Sequence, residues 1–205
     1  NVRAKNIGKL LQCRLPGLDD FACDLVGIDR PIASQPLYNI VNRTAETEQL
    51  PAAAHYGLGV VSYSPLARGV LTGKYQPDAA PAPDTRAGRS DKRILETEWR
   101  PESIRIAREL AAHAEAQGTT AANFALAWVL NNKLITSAIA GPRTEEQWDG
   151  YLSALDYRFT AEDEALVDRL VAPGHTSTHG FTDPGHPVEG RVPRIGAAGE
   201  QSPES

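Results

Sequence analysis

The chain contains no methionine, not even at position 1, where Asn1 stands. A start of that kind is expected of a chain processed at its N-terminus or of a piece of a longer protein, and the second is the expectation. Cysteine is scarce as well. Cys13 and Cys23 are the two present, and their separation suits neither a redox C-x-x-C pair nor a zinc ribbon. So few thiols in 205 residues point to a reducing compartment, and the expected location is cytoplasmic. Cationic excess is missing too. With 21 Lys and Arg against 26 Asp and Glu, the net charge of −5 offers no basic stripe for a phosphate backbone, so no nucleic-acid partner is expected. No apolar run reaches membrane-spanning length, and no signal-peptide pattern opens the chain. His175 and His179 have i, i+4 spacing, but Gly and Pro breaks surround them and no Glu accompanies them, so no metal site is expected.

What remains is an ordinary globular composition, 41% hydrophobic and 23% charged. Residues 1–31 have mixed periodicity with a Pro16-Gly17 break. PIASQPLYNIV, from Pro31, reads as β-rich. TAETEQLPAAAHYG reads as a helix opening at Thr44 and stopping at Gly57. LGVVSY (58–63) is a β-branched apolar run that predicts a strand buried on both faces. A long Pro/Gly/Ala/Asp-rich loop over 64–100 follows, either functional or disordered. Two helices come next, one with Pro101 in its first turn and Ile104, Ala107, Leu110 and Ala114 on a stripe. LITSAIAG (134–141) predicts another short buried strand. TEEQWDGYLSAL opens with a Thr144/Gln147 capping box and places Trp148, Leu152 and Leu155 on one helix face. TAEDEALVDRL is a last amphipathic helix, and 172–205 is expected to be extended or disordered.

The alternation of strand and helix implies an α/β class with parallel strands. A (β/α)8 barrel takes about 250 residues, and three or four strands are legible here, so the fold class is α/β with a partial TIM barrel. Ligands of such folds sit at the carboxyl ends of the strands. YSPLARGVLTGKY (63–75) lies at one of those ends and concentrates an aromatic, a hydroxyl, two glycines and cations. Taken alone, SPLARG is equally well a polar loop with solvated cations. It is not a P-loop, because the glycines are too close and Tyr75 replaces the metal-binding hydroxyl. A second strand end, Gly141-Pro142-Arg143 before a capped helix, offers free N–H groups and an Arg to a phosphate. Two separated anion sites suit an extended dinucleotide.

SQPLYN, VVSYSPLARGVLTGKY and IAGPRTEEQ, in that order and spacing, resemble the C-terminal half of an aldo-keto reductase. The resemblance runs over about 27–191 and implies a (β/α)8 barrel that binds NADP(H) across its strand ends and reduces small carbonyl compounds. It implies that residues 32–171 are the C-terminal half of such a barrel, with 1–31 divergent or frameshifted: Lys9-Leu10 stands where a Ser-Asn pair is expected. It also implies roles. Gln35 is placed for the nicotinamide carboxamide and Tyr63 for stacking on the nicotinamide ring. Ser64, Leu66 and Arg68 fall in the pyrophosphate loop, and Lys74 and Arg86 fold over the cofactor. Gly141, Arg143 and Gln147 hold the adenosine end, Arg143 at the 2′-phosphate. Gly150 and Tyr151 stand where the family places an adenine-binding Glu and Asn.

Carbonyl reduction also needs a proton donor aimed at the carbonyl oxygen. In the family a Tyr supported by Lys, Asp and His supplies it, all from the first half of the barrel, and no tyrosine here has that context. The resemblance therefore implies a fragment or truncated form carrying the cofactor half without the catalytic tetrad. The alternative is a non-catalytic relative that binds a cofactor or partner. Substrate and oligomeric state are not legible.

Overall fold

The computed structural model describes residues 23–185. Three parallel strands form an open sheet in the order β1 (Ala33–Ser34), β2 (Gly59–Ser62) and β3 (Ser137–Ala138). A 3-10 turn (Thr44–Glu46) and helix α1 (Gln49–Tyr56) connect β1 to β2. The connection from β2 to β3 carries a 3-10 segment (Ala67–Thr72), α2 (Lys92–Glu96), α3 (Pro101–Ala116) and α4 (Ala121–Asn131). Helix α5 (Glu145–Ser153), a 3-10 turn (Ala154–Asp156) and α6 (Ala161–Leu170) follow β3. Parallel strands joined by helical crossovers make this an α/β fold with an incomplete TIM-barrel-like topology. No helix among the described residues is long and apolar enough to cross a membrane.

Helices α3 and α4 form where the periodicity predicts them. Pro101 fits the first turn of α3, where its missing N–H has no helical acceptor. Ile104, Ala107, Leu110 and Ala114 make its buried stripe. Thr120 caps α4, its Oγ1 accepting from the Asn123 N–H at 3.1 Å. Every residue from Ala121 to Val129 except Ala122 is buried, so α4 is the central element of the core. Phe124, Trp128 and Val129 meet Leu110, Val70, Leu71, Ile40 and Val60 there. Each such aliphatic or aromatic side chain contributes roughly 1.5–3 kcal/mol on leaving water.

Other expectations are corrected. Thr44 does not cap α1. Its hydroxyl donates to Asn42 Oδ1, and the helix begins only at Gln49, ending as predicted at Gly57 in the left-handed region. Strand β2 is not buried on both faces: Val60 and Ser62 are buried toward the helices, while Gly59, Val61 and Tyr63 are half-buried. The strand alternates because only one face has a helical layer against it. Around β3, Ile135 is buried but Ser137 and Ile139 are exposed, since β3 is the last strand of the sheet. Helix α5 buries no side chain fully, though Tyr151 packs partly against the core, and the stripe of Trp148 and Leu152, continued by Leu155 in the next 3-10 turn, faces solvent, 49%, 44% and 67% exposed. Among the described residues nothing covers that stripe.

The long loop is not structureless, as it holds the 3-10 segment and α2. Residues 172–185 are irregular chain laid against the body. Thr176 bridges Asn42, the Arg43 N–H donates to the His175 carbonyl at 2.9 Å, and the Ser177 N–H donates to Val41 at 3.0 Å. Residues 1–22, including Cys13 and Lys9-Leu10, and residues 186–205 lie outside the described part.

One polar cluster joins α3 to α6. Asp163 is buried at the third position of α6 and closes a full capping box with Thr160. His113 Nε2 lies 2.6 Å from its Oδ1, and the Tyr157 hydroxyl donates to Oδ2 at 3.1 Å. Burial works against the charged carboxylate, but these partners and Thr160 outweigh it and hold Asp163 below the usual carboxylate range. A lowered folded-state pKa adds stability that is present above the unfolded value, near 3.9, and is lost as pH falls through the folded one. Asp163→Asn is therefore expected to destabilise the chain by about 2 kcal/mol at pH 7. Denaturant unfolding against pH should show the gap to wild type closing below about pH 4. A gap that persists into stronger acid would contradict this account.

Candidate functional site at the strand ends

The carboxyl ends of the three strands converge on Tyr63. The chain after β1 stays beside β2: the Tyr63 N–H donates to Pro36 at 3.0 Å, and the Tyr38 N–H donates back to Tyr63 at 3.4 Å. On the other side the Ile139 N–H donates to Ser62 at 2.8 Å. Gln35, exposed at the end of β1, and Ile139 to Gly141, at the end of β3, thus flank Tyr63. Burial raises the Tyr63 phenol above its ordinary pKa, and Arg68, Glu98, Asp183 and Arg93 are the charges that act on it. Tyr63 is a half-buried aromatic within the electrostatic reach of two ion pairs, Arg68 with Glu98 and Arg93 with Asp183.

After Tyr63 the backbone turns through an unusual series of left-handed residues. Ser64 has φ of 54°, Ala67 47°, Arg68 52° and Gly69 95°. Side-chain-bearing residues occupy that region at a cost, and such strain persists only where the surroundings impose it. Here the Ser64 carbonyl accepts from the Ala67 N–H at 2.9 Å and from Asn39 Nδ2 at 3.0 Å. The Leu66 carbonyl takes the Gly69 N–H at 2.8 Å and the Leu71 N–H at 3.2 Å. Leu66, Val70 and Leu71 are buried and anchor the loop in the core. Lys74 is exposed and bends back over this turn. Its Nζ lies 5.2 Å from the Tyr75 ring centre, and a Cβ placed on Gly69 would come within 3.4 Å of it.

Arg68 is three-quarters buried, and its Nε lies 3.3 Å from Glu98 Oε2. The approach is an ion pair without hydrogen-bond alignment, so Nε is buried and unbonded. At β3, Gly141 opens on free space and Arg143 is exposed. Thr144 Oγ1 accepts from the Gln147 N–H at 3.3 Å, as the predicted cap requires. Gln147 Oε1 instead accepts from the Arg143 N–H at 2.8 Å, one residue beyond a capping box, which fixes the backbone of Arg143. Glu145 and Glu146 occupy the first turn of α5, so Arg143 is the cation of an otherwise acidic helix start. Arg86 is not brought to the strand ends by any contact among the described residues. It pairs at 3.2 Å with Asp91, whose Oδ1 caps α2 by accepting from the Ile94 N–H.

Three features escape the sequence pattern. Asn39 holds Ser64, Glu98 backs Arg68, and Arg93 binds Asp183 through two hydrogen bonds of 3.1 and 2.7 Å that tie 172–185 to the long loop. Asn39 alone carried a hint, as the last residue of SQPLYN.

Residues 23–172 match the model of the aldo/keto reductase family, and the chain belongs to that family. The "Probable voltage-gated potassium channel subunit beta" of Arabidopsis thaliana is 37% identical over 134 residues, which are 65% of this chain and 40% of that protein. An uncharacterized oxidoreductase of Bacillus subtilis is 39% identical over 132 residues, 64% of this chain and 37% of its own. The L-glyceraldehyde 3-phosphate reductase of Escherichia coli (strain K12) is 31% identical over 148 residues, 68% of this chain and 41% of the enzyme. The chain thus spans about two fifths of the length of these relatives.

Gly69 and Gly141 should differ sharply in what an added methyl group does. Gly69→Ala is expected to cost roughly 1–2 kcal/mol for the left-handed backbone, and to displace Lys74 as well. Gly141→Ala, with open space and no left-handed requirement, should leave the unfolding midpoint unchanged. Equal midpoints for both variants would show that the loop is not built as described.

Proposed function

We propose that this chain is the cofactor-binding, C-terminal half of an NADPH-dependent aldo-keto reductase barrel acting on small carbonyl compounds in the cytoplasm. The observation that carries the proposal is Tyr63, half-buried at the end of β2, with Arg68 close enough to act on its phenol and making no side-chain hydrogen bond among the described residues. A stacking surface beside an incompletely satisfied guanidinium fits a nicotinamide joined to a pyrophosphate. NADPH bound there would supply the hydride for carbonyl reduction.

The residues of this chain bind and orient. Tyr63 offers its ring face, and Gln35 its amide to the carboxamide edge. Ser64, Leu66 and Arg68 present the turn to the pyrophosphate, with Lys74 closing over it. Gly141 lets the chain at β3 come close to the adenosine end. Gln147 fixes the backbone of Arg143, whose guanidinium meets the 2′-phosphate. Arg86 joins them only by leaving Asp91. The proton for the carbonyl oxygen belongs to residues outside this chain. Tyr38 is no substitute, because its hydroxyl is buried and donates to Glu46 Oε1 at 2.7 Å while accepting from Asn132. That last observation also favours the second reading, a relative that binds a cofactor or a partner protein without turnover.

Two measurements follow from this reading. NADPH should bind the chain more tightly than NADH, and Arg143→Ala should bring the two together, losing roughly tenfold for a charge-assisted contact. Equal affinities in the unmodified chain would sink the 2′-phosphate assignment. Purified chain incubated with NADPH and an aldehyde panel should show no turnover. Steady oxidation abolished by Tyr38→Phe would show that a proton donor lies within the chain after all.

A further inference from the structure

Glu98 is the least expected residue near the strand ends. Its side chain is 4% exposed, while that of Arg68 is 22% exposed, so the carboxylate lies on the inner side of the pair. A buried carboxylate is costly unless cations and donors surround it. Glu98 Oε2 is met by the Thr97 hydroxyl and by Arg68 Nε. Among the described residues Arg68 makes no side-chain hydrogen bond, so its guanidinium keeps donors that a ligand can take. The backbone at Arg68 is left-handed, as it is at Ala67 and Gly69 beside it, so the turn sets where the arginine side chain leaves the chain.

We propose that Glu98 is a positioning residue that aims the Arg68 guanidinium at the pyrophosphate of the bound dinucleotide. This rests on the cofactor reading above and adds a residue to it. Pinned from behind, the long side chain of Arg68 loses its rotamer freedom before the ligand arrives, so less of the contact energy is lost on binding. Glu98 also cancels the charge of Arg68 locally. Simple electrostatics therefore predicts that removing Glu98 strengthens phosphate binding, whereas the positioning role predicts that it weakens binding. The two effects have opposite signs.

The test is a double-mutant cycle read by NADPH and NADH titration of the whole chain. Glu98→Gln should weaken both cofactors by a similar factor of roughly tenfold, because the pyrophosphate is common to them. Arg68→Gln should weaken them at least as much, and Glu98→Gln should add nothing in the Arg68→Gln background. Unchanged or tighter binding in Glu98→Gln overturns the proposal, and so does an undiminished further loss in the double variant, which a merely structural role would give. Where Glu98→Gln does not fold, as judged by circular dichroism, Arg68→Lys carries the test. Lysine keeps the charge but lacks the fork, so wild-type affinity in that variant also overturns the proposal. Failure of the unmodified chain to bind either cofactor overturns the cofactor reading itself, and is distinct from these outcomes.

Discussion

The side chain of Asn39, wholly excluded from solvent, ties the segment after β1 to the end of β2, beyond the backbone hydrogen bonds that Pro36 and Tyr38 share with Tyr63. Its Nδ2 donates to the Ser64 carbonyl, its Oδ1 accepts from the Val41 N–H, and its backbone exchanges hydrogen bonds with Asn42. A buried primary amide leaves a full desolvation penalty if either end goes unpaired, so these contacts are effectively obligatory. The consequence runs outward. Ser64 is fixed at the end of β2, and the chain must then turn through left-handed conformations to carry Val70 and Leu71 into the core against α3 and α4. The arrangement of Tyr63, Arg68 and Lys74 is the outer surface of that constraint.

The parts of the fold legible in the sequence were those whose cause is local. The 3.6-residue stripes of α3 and α6, the Pro101 start, the Thr144 cap and the Gly57 stop each depend on residues a few positions apart. Burial was less legible, because an apolar stripe states that something should cover it without saying what. Trp148, Leu152 and Leu155 have a convincing helical period and face solvent, since no other described element lies on that side. The same holds for Ile139 beyond β3. The loop over 64–100 misled for a different reason: its order comes from pairs such as Arg86 with Asp91 and Arg93 with Asp183.

At the strand ends, the motif from Tyr63 to Tyr75 was legible because a strand delivers it and turn residues shape it. Glu98 was not, as nothing in ETEWR distinguishes it from a surface acid until Arg68 is seen in front of it. Residues 172–185 show the same limit. Their Gly, Pro and Ser content suggests irregular chain without saying what orders it, and they gain order from the body. Arg100 donates to Ser177 and Thr178 and lies 4.0 Å over the Phe181 ring.

Helix α5 has one further implication. It buries no side chain fully, whereas α4, beside it, is buried along almost its whole length. Local opening free energies follow such differences, so α5 is expected to exchange its amide hydrogens far sooner than α4. A dinucleotide spanning the proposed site would rest one end on the rigid turn at Ser64 to Gly69 and the other on the helix that frays first. Dissociation would then begin at the adenosine end, with the nicotinamide end as the last point of attachment.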